Sequence, residues 1–105
     1  MRGIGLFQCA VFVEMASLLL GEPATREDLD KIRHAINSHT CVVRIIHLRT
    51  EHIGPDDIVV ATKVEFDHGM TIEELADEID RVEASIRAKV PAATLIFIEP
   101  DVYRA

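Results

Sequence analysis

The spacing of hydrophobic positions changes several times along this chain. From Ile4 to Leu20 they are nearly continuous: Ile4, Leu6, Phe7, Cys9-Ala10-Val11-Phe12-Val13, then Met15-Ala16 and Leu18-Leu19-Leu20 after Glu14. A helix that is apolar on all sides is buried in protein or in lipid. A full membrane span takes about 20 apolar residues, and this run, interrupted by Gln8 and Glu14, falls short of that. Leu18-Leu19-Leu20-Gly21-Glu22 offers no small-residue cleavage site, which sets a signal peptide aside. Residues 1–20 therefore read as the trailing half of a transmembrane helix cut off from its beginning, with a helix buried in a soluble oligomer as the alternative.

Gly21-Glu22-Pro23-Ala24 is a short linker. Thr25 followed by Asp28 is a helix-start signature, and Leu29, Ile32 and Ile36 supply an apolar stripe to about Asn37. The period then shortens to two. Val42–Thr50 and Ile58–Phe66 are rich in β-branched residues and flank a loop, Glu51–Asp57, that contains Gly54-Pro55; they predict antiparallel strands. In the second strand Val60, Thr62, Val64 and Phe66 fall on one face, with Val59, Ala61, Lys63, Glu65 and Asp67 on the other. Thr71 and Glu74 form a capping box ahead of Ile72, Leu75, Ala76, Ile79, Val82 and Ile86, a helix stopped by Pro91. Thr94–Ile98 is a last strand ended by Glu99-Pro100-Asp101, and residues 102–105 are a loose tail.

The order α-β-β-α-β predicts an α+β, ferredoxin-like open-faced sandwich: two helices on one side of a three-stranded sheet, preceded by the apolar N-terminal helix. The second and third strands are expected to be parallel and joined by a right-handed helical crossover. One face of the sheet buries under the helices, and any function of the sheet is expected on the other. A chain of 105 residues, 49% hydrophobic and 28% charged, is one domain with a modest core. Its net charge of −7 excludes a nucleic-acid backbone as partner and suits a protein that meets cations. Cys9 and Cys41 are too few and too far apart for a disulfide scaffold, which points to a reducing compartment. Enzyme signatures are missing: there is no Gly-rich phosphate loop, no G-x-S-x-G and no nucleophile–base pair.

Several short pieces, in order, carry a resemblance over about Phe12–Asp101. They are Glu14 with Leu18-Leu19 and Gly21-Glu22, Ile46-His47-Leu48-Arg49-Thr50 before Gly54-Pro55, Lys63-Val64-Glu65, Glu83 with Ile86-Arg87 and Pro91, and Ile96 through Glu99-Pro100. Together they resemble the cytoplasmic C-terminal domain of the cation diffusion facilitator (cation efflux, zinc transporter) family, with the end of its last membrane helix attached. The resemblance implies a metallochaperone-like fold at 25–101 that serves as the dimerisation and regulatory domain of a proton-coupled exporter of zinc or similar divalent ions. It also implies a homodimer, attached through residues 1–20 to the inner or plasma membrane, with the domain facing the cytoplasm. The intramembrane ligands of transport lie on earlier helices that this sequence does not contain, so the chain alone is not expected to move ions. The alternative is a stand-alone, soluble metal- or small-ligand-binding module.

The family's regulatory zinc site draws a His from each of the three strands and an acidic residue from the third. Carried over position by position, the resemblance places these ligands on Ile46, Lys63, Phe97 and Glu99. Only the carboxylate survives, and the expected domain dimerises without requiring a cofactor. Lys63, beside Glu65 or Glu99, offers a fixed positive charge where bound zinc would neutralise the acidic face. His47, one residue past the family position, is expected to turn to the opposite face unless a bulge re-aims it. His52, in the loop with Asp56 and Asp57, has metal-binding chemistry but reads as a solvated residue, and His68 is similar. Glu99, His47 and His52 are thus the candidate ligands should zinc or another divalent cation bind. His34, His39 and Cys41 lack metal-ligand spacing. The acidic run Glu73-Glu74, Asp77-Glu78 and Asp80 reads as a solvated helix face.

Overall fold

The structure is a computed structural model that describes residues 21–104. The helix expected over residues 1–20 lies outside the described residues. Helix α1 spans Arg26–Asn37, strands β1 and β2 span Val42–Gly54 and Asp57–Phe66, helix α2 spans Ile72–Lys89, and strand β3 spans Ala93–Pro100. The sheet order is β1-β2-β3, with β1 antiparallel and β3 parallel to β2. Both helices pack on one face of it, α1 against β1 and α2 against β3, and they touch each other.

Local chemistry sets the ends of the helices. The Asp28 N–H donates to Thr25 Oγ1 at 3.2 Å, closing the start of α1. At α2 the box is complete: the Glu74 N–H donates to Thr71 Oγ1 (3.1 Å) and the Thr71 N–H to Glu74 Oε1 (2.9 Å). Pro91 follows the C-cap Val90, where the helix stops as expected. The core between the layers holds Ile32 and Ile36 of α1, Val82 and Ile86 of α2, and Ile58, Val60 and Val64 of β2, all almost fully buried. The predicted inward face of β2 is the observed one. Ile72, counted in the stripe of α2, is the first residue of that helix and is 83% exposed.

Strand β1 departs from the expected pattern in two ways. It runs to Gly54, so the loop shrinks to Pro55-Asp56 and Gly54 pairs with Asp57. Gly54 does not take a positive φ among the described residues; only Gly21 does, at 89°. What Gly54 supplies is room, since a Cβ there would lie 3.1 Å from Asp57 Oδ2. Second, the register slips between Val42 and Arg44, between Ile45 and His47, and between His52 and Gly54. Val43, Ile46 and Ile53 are therefore the extra residues of bulges, each of which shifts the alternation of faces by one residue. Val43 and Ile53, without an inward place, are 54% and 49% exposed.

The N-terminal linker is tied to the same strand. The Gly21 N–H donates to the His52 carbonyl (2.8 Å) and the His52 N–H to the Glu22 carbonyl (2.7 Å). The Ala24 N–H donates to Thr50 Oγ1 (2.9 Å). Residues 21–24 thus continue along the end of β1 before α1 begins.

Candidate functional site

Among the described residues nothing packs on the face of the sheet opposite the helices, and the composition of this open face follows from the register. Across the three strands it carries rows of laterally adjacent residues: Glu51, Val59 and Leu95; Arg49, Ala61 and Phe97; His47, Lys63 and Glu99. Leu95 and Phe97 are 47% and 59% exposed. On β2 and β3 the face is an apolar strip of Val59, Ala61, Leu95 and Phe97. Charged residues of both signs flank it.

The bulge at Ile46 corrects the expectation for His47. Because Ile46 has no partner and His47 lies opposite Lys63, the imidazole shares the face of Lys63 and Glu99. A shallow cavity of about 260 Å³ is lined by His47, Arg49, Ala61, Thr62, Lys63, Phe97 and Glu99. His52 is corrected in the other direction. It is not a solvated loop residue but part of β1, opposite Ile58 on the helix-covered face, 8% exposed, with Nδ1 3.2 Å from the Glu22 carbonyl oxygen. Of the three candidate ligands, the structure brings His47 and Glu99 into one row and leaves His52 on the reverse side of the sheet.

Whether a divalent cation fits this row is decided by its middle member. Lys63 stands between His47 and Glu99, and its Nζ lies 3.7 Å from Asp101 Oδ2. An ammonium cannot ligate, and it repels. A dication about 4 Å from it is disfavoured by about 2 kcal/mol in water and about 8 kcal/mol at an effective dielectric of 20. Ile46 and Phe97 bring no donor atoms. Among the described residues no three His, Cys, Asp or Glu side chains are grouped so as to hold a metal ion. Among the described residues, the row His47, Lys63 and Glu99 does not fit a regulatory metal.

Beyond Lys63 the same face closes on itself. Glu65, opposite Arg44, is 8% exposed. Its Oε2 lies 2.8 Å from His68 Nε2 and its Oε1 3.1 Å from Arg44 Nε, the latter a charge contact whose N–H is not aimed at the oxygen. The Arg44 guanidinium lies over the Tyr103 ring, 4.7 Å from its centroid. Asp101 is held below the usual carboxylate range, first by the backbone N–H of Val102, then by Arg104 and Lys63. The tail expected to be loose is thus anchored through Asp101 and Tyr103. Glu65 is committed to these internal partners, whereas Glu99 is exposed and has no ion-pair partner among the described residues.

A second polar cluster lies between the α1–β1 connection and α2, and no sequence pattern marks it. Glu78, assigned above to a solvated face, is 5% exposed. Its Oε2 is 3.0 Å from His39 Nδ1, and its Oε1 accepts from Arg81 Nε and Nη2 at 3.1 and 2.7 Å. His39 Nε2 is 2.8 Å from Ser85 Oγ. A carboxylate only accepts, so Nδ1 carries the proton and, in the neutral ring, Ser85 donates to Nε2. This cluster joins the α1–β1 connection to α2. His34 is exposed and takes no part in it, and Cys41 is a half-buried free thiol.

Among the described residues no helix is long and apolar enough to cross a membrane. The family model described as the cytoplasmic domain of cation efflux proteins matches residues 24–101. Solved structures with the same fold include a doubly substituted MamM C-terminal domain, 23% identical over 75% of this chain and 94% of that one, with a TM-score of 0.67. A singly substituted MamM C-terminal domain in a nickel form is 20% identical over 76% of this chain and 100% of that one (TM-score 0.69). Another in a cadmium form is 20% identical over 77% and 100% (TM-score 0.69). No curated protein sequence matches significantly. The match over 24–101, joined to the α-β-β-α-β order and the open-faced sheet, leads to one conclusion: the chain belongs to the cation efflux protein family through that family's cytoplasmic domain.

Proposed function

We propose that this domain pairs two copies of a proton-coupled divalent-cation exporter of the zinc type at the cytoplasmic side of the inner or plasma membrane, and that residues 1–20 lead from its last membrane helix. The ion moved is the exporter's cargo, and no residue described here handles it. The family match supports the cytoplasmic setting, and the matching family model is labelled as a dimer domain.

The observation that carries the pairing is the open face. Strands β2 and β3 present Val59, Ala61, Leu95 and Phe97 side by side, and among the described residues no helix lies over them. Fully burying a Leu or Phe side chain contributes about 1.5–3 kcal/mol. Leu95 and Phe97 still expose about half of their surface, so two copies meeting here gain on the order of 1 kcal/mol from each of four side chains. A two-fold interface must be self-complementary, and a face carrying an apolar strip and both signs of charge can satisfy that requirement.

The test is sedimentation of the full chain, in detergent if residues 1–20 require it. Phe97→Asp places a carboxylate in the apolar strip and is expected to weaken pairing at least about a hundredfold. Ile72→Asp, at an exposed apolar residue on α2, is expected to leave it unchanged. A monomeric parent chain, or equal effects of the two substitutions, would overturn the reading.

A further inference from the structure

Lys63 is a cation on the open face placed to act toward a second copy without any metal. It is the middle member of the row His47, Lys63, Glu99, on the central strand of the sheet. Its side chain is 45% exposed, and its only ion pair among the described residues is the long 3.7 Å contact to Asp101. Glu99, its lateral neighbour on β3, has no ion-pair partner there at all. A cation with capacity to spare and an unpaired carboxylate therefore lie side by side at the border of the apolar strip. Under a two-fold axis that lies in the plane of contact and runs along the strands between β2 and β3, each Lys63 meets Glu99 of the second copy, and the contact occurs twice.

We propose that Lys63 is a built-in cation: its ammonium pairs with Glu99 of a second copy, and the association of the two domains is independent of divalent metal. The inference rests on the pairing reading above and adds its regulation. Ordinarily, two acidic domains repel one another, and a bound dication can bridge them. Here a permanent charge occupies the place of the bridge, and the bulge at Ile46 has turned an imidazole toward it rather than toward a metal. An ammonium carries its charge without a bound ion, so the contact is not switched by metal supply. This domain then holds its two copies together constitutively.

Charge exchange on the full chain separates the possibilities. The pairing constant is measured by sedimentation over a concentration series, in EDTA and in zinc sulfate, with circular dichroism confirming that each variant folds. The parent is expected to pair equally well in both. Lys63→Glu and Glu99→Lys each set like charges against one another at two contacts and are expected to weaken pairing about tenfold or more. The double variant K63E/E99K restores opposite charges and is expected to recover most of the loss. Pairing that collapses in EDTA overturns the proposal while leaving the pairing reading intact. So does a double variant no better than the weaker single one. A parent that never pairs removes both.

Discussion

Removing the Glu78 carboxylate tests whether the buried cluster holds α2 in place. In Glu78→Ala two sets of contacts disappear, and burial decides which of them matters. The Arg81 side chain is 61% exposed, so its guanidinium returns to water when its partner goes. The His39 side chain is 17% exposed and the Glu78 side chain 6%, and the imidazole Nδ1–H has no replacement acceptor at 3.0 Å. Hydrogen bonds to charged groups contribute about 1.5–3 kcal/mol, and a buried donor left unpaired costs about 1–3 kcal/mol. These describe the same loss from two sides, so the expected destabilisation is about 2 kcal/mol. For a domain of this size that corresponds to a fall in melting temperature of about 10 °C.

The assay is thermal unfolding followed by circular dichroism, with urea unfolding for the free energy. Glu78→Gln keeps an acceptor for Nδ1–H and is expected to lose roughly half as much. Arg81→Ala removes both donors of the buried Glu78 Oε1 but leaves the His39 contact, and is expected to cost clearly less than Glu78→Ala. A Glu78→Ala protein that melts with the parent, or an Arg81→Ala protein as damaged as Glu78→Ala, would refute the reasoning.

Two further outcomes follow from the open face. Lys63→His replaces the ammonium with an imidazole between His47 and Glu99, giving three donors in one row; calorimetry is expected to show saturable zinc binding in this variant and none in the parent. Asp101 tests the anchored tail by pH. Its folded pKa lies below the unfolded value, so its contribution is present above the unfolded pKa and is lost as pH falls through the folded one. In acid, the Tyr103 ring resonances are therefore expected to move toward random-coil positions before the core unfolds, and a tail unchanged until global unfolding would contradict the anchoring.

How much of this was legible in the sequence depended on whether a residue's surroundings were local. Strand β2 alternates strictly, so its inward face of Val60, Thr62, Val64 and Phe66 could be read from parity alone. The capping box at Thr71 and Glu74 is a contact three residues long, and it too was readable. Strand β1 was different. Val42, Val43, Ile45, Ile46 and Leu48 supply apolar residues in both phases, and three bulges reset the parity, so the face of His47 was decided by pairing with β2. His52 is buried because the Glu22 backbone lies against it, 30 residues earlier in the chain. Glu78 is buried because His39 reaches it from the α1–β1 connection, and nothing in an acidic helix face marks one carboxylate as the inward one. The open face was therefore foreseeable in β2 and β3, while the histidine that completes its row was not.

The claim on which the rest depends is that the open face is where two copies meet. Isotope-filtered NOE measurements on a mixture of labelled and unlabelled full chains read this contact directly. Pairing through the open face gives intermolecular signals from the Phe97 ring and the Leu95 methyls to Val59 and Ala61 of the other copy. Intermolecular signals confined to the helix layer, for instance to Ile72, would contradict it.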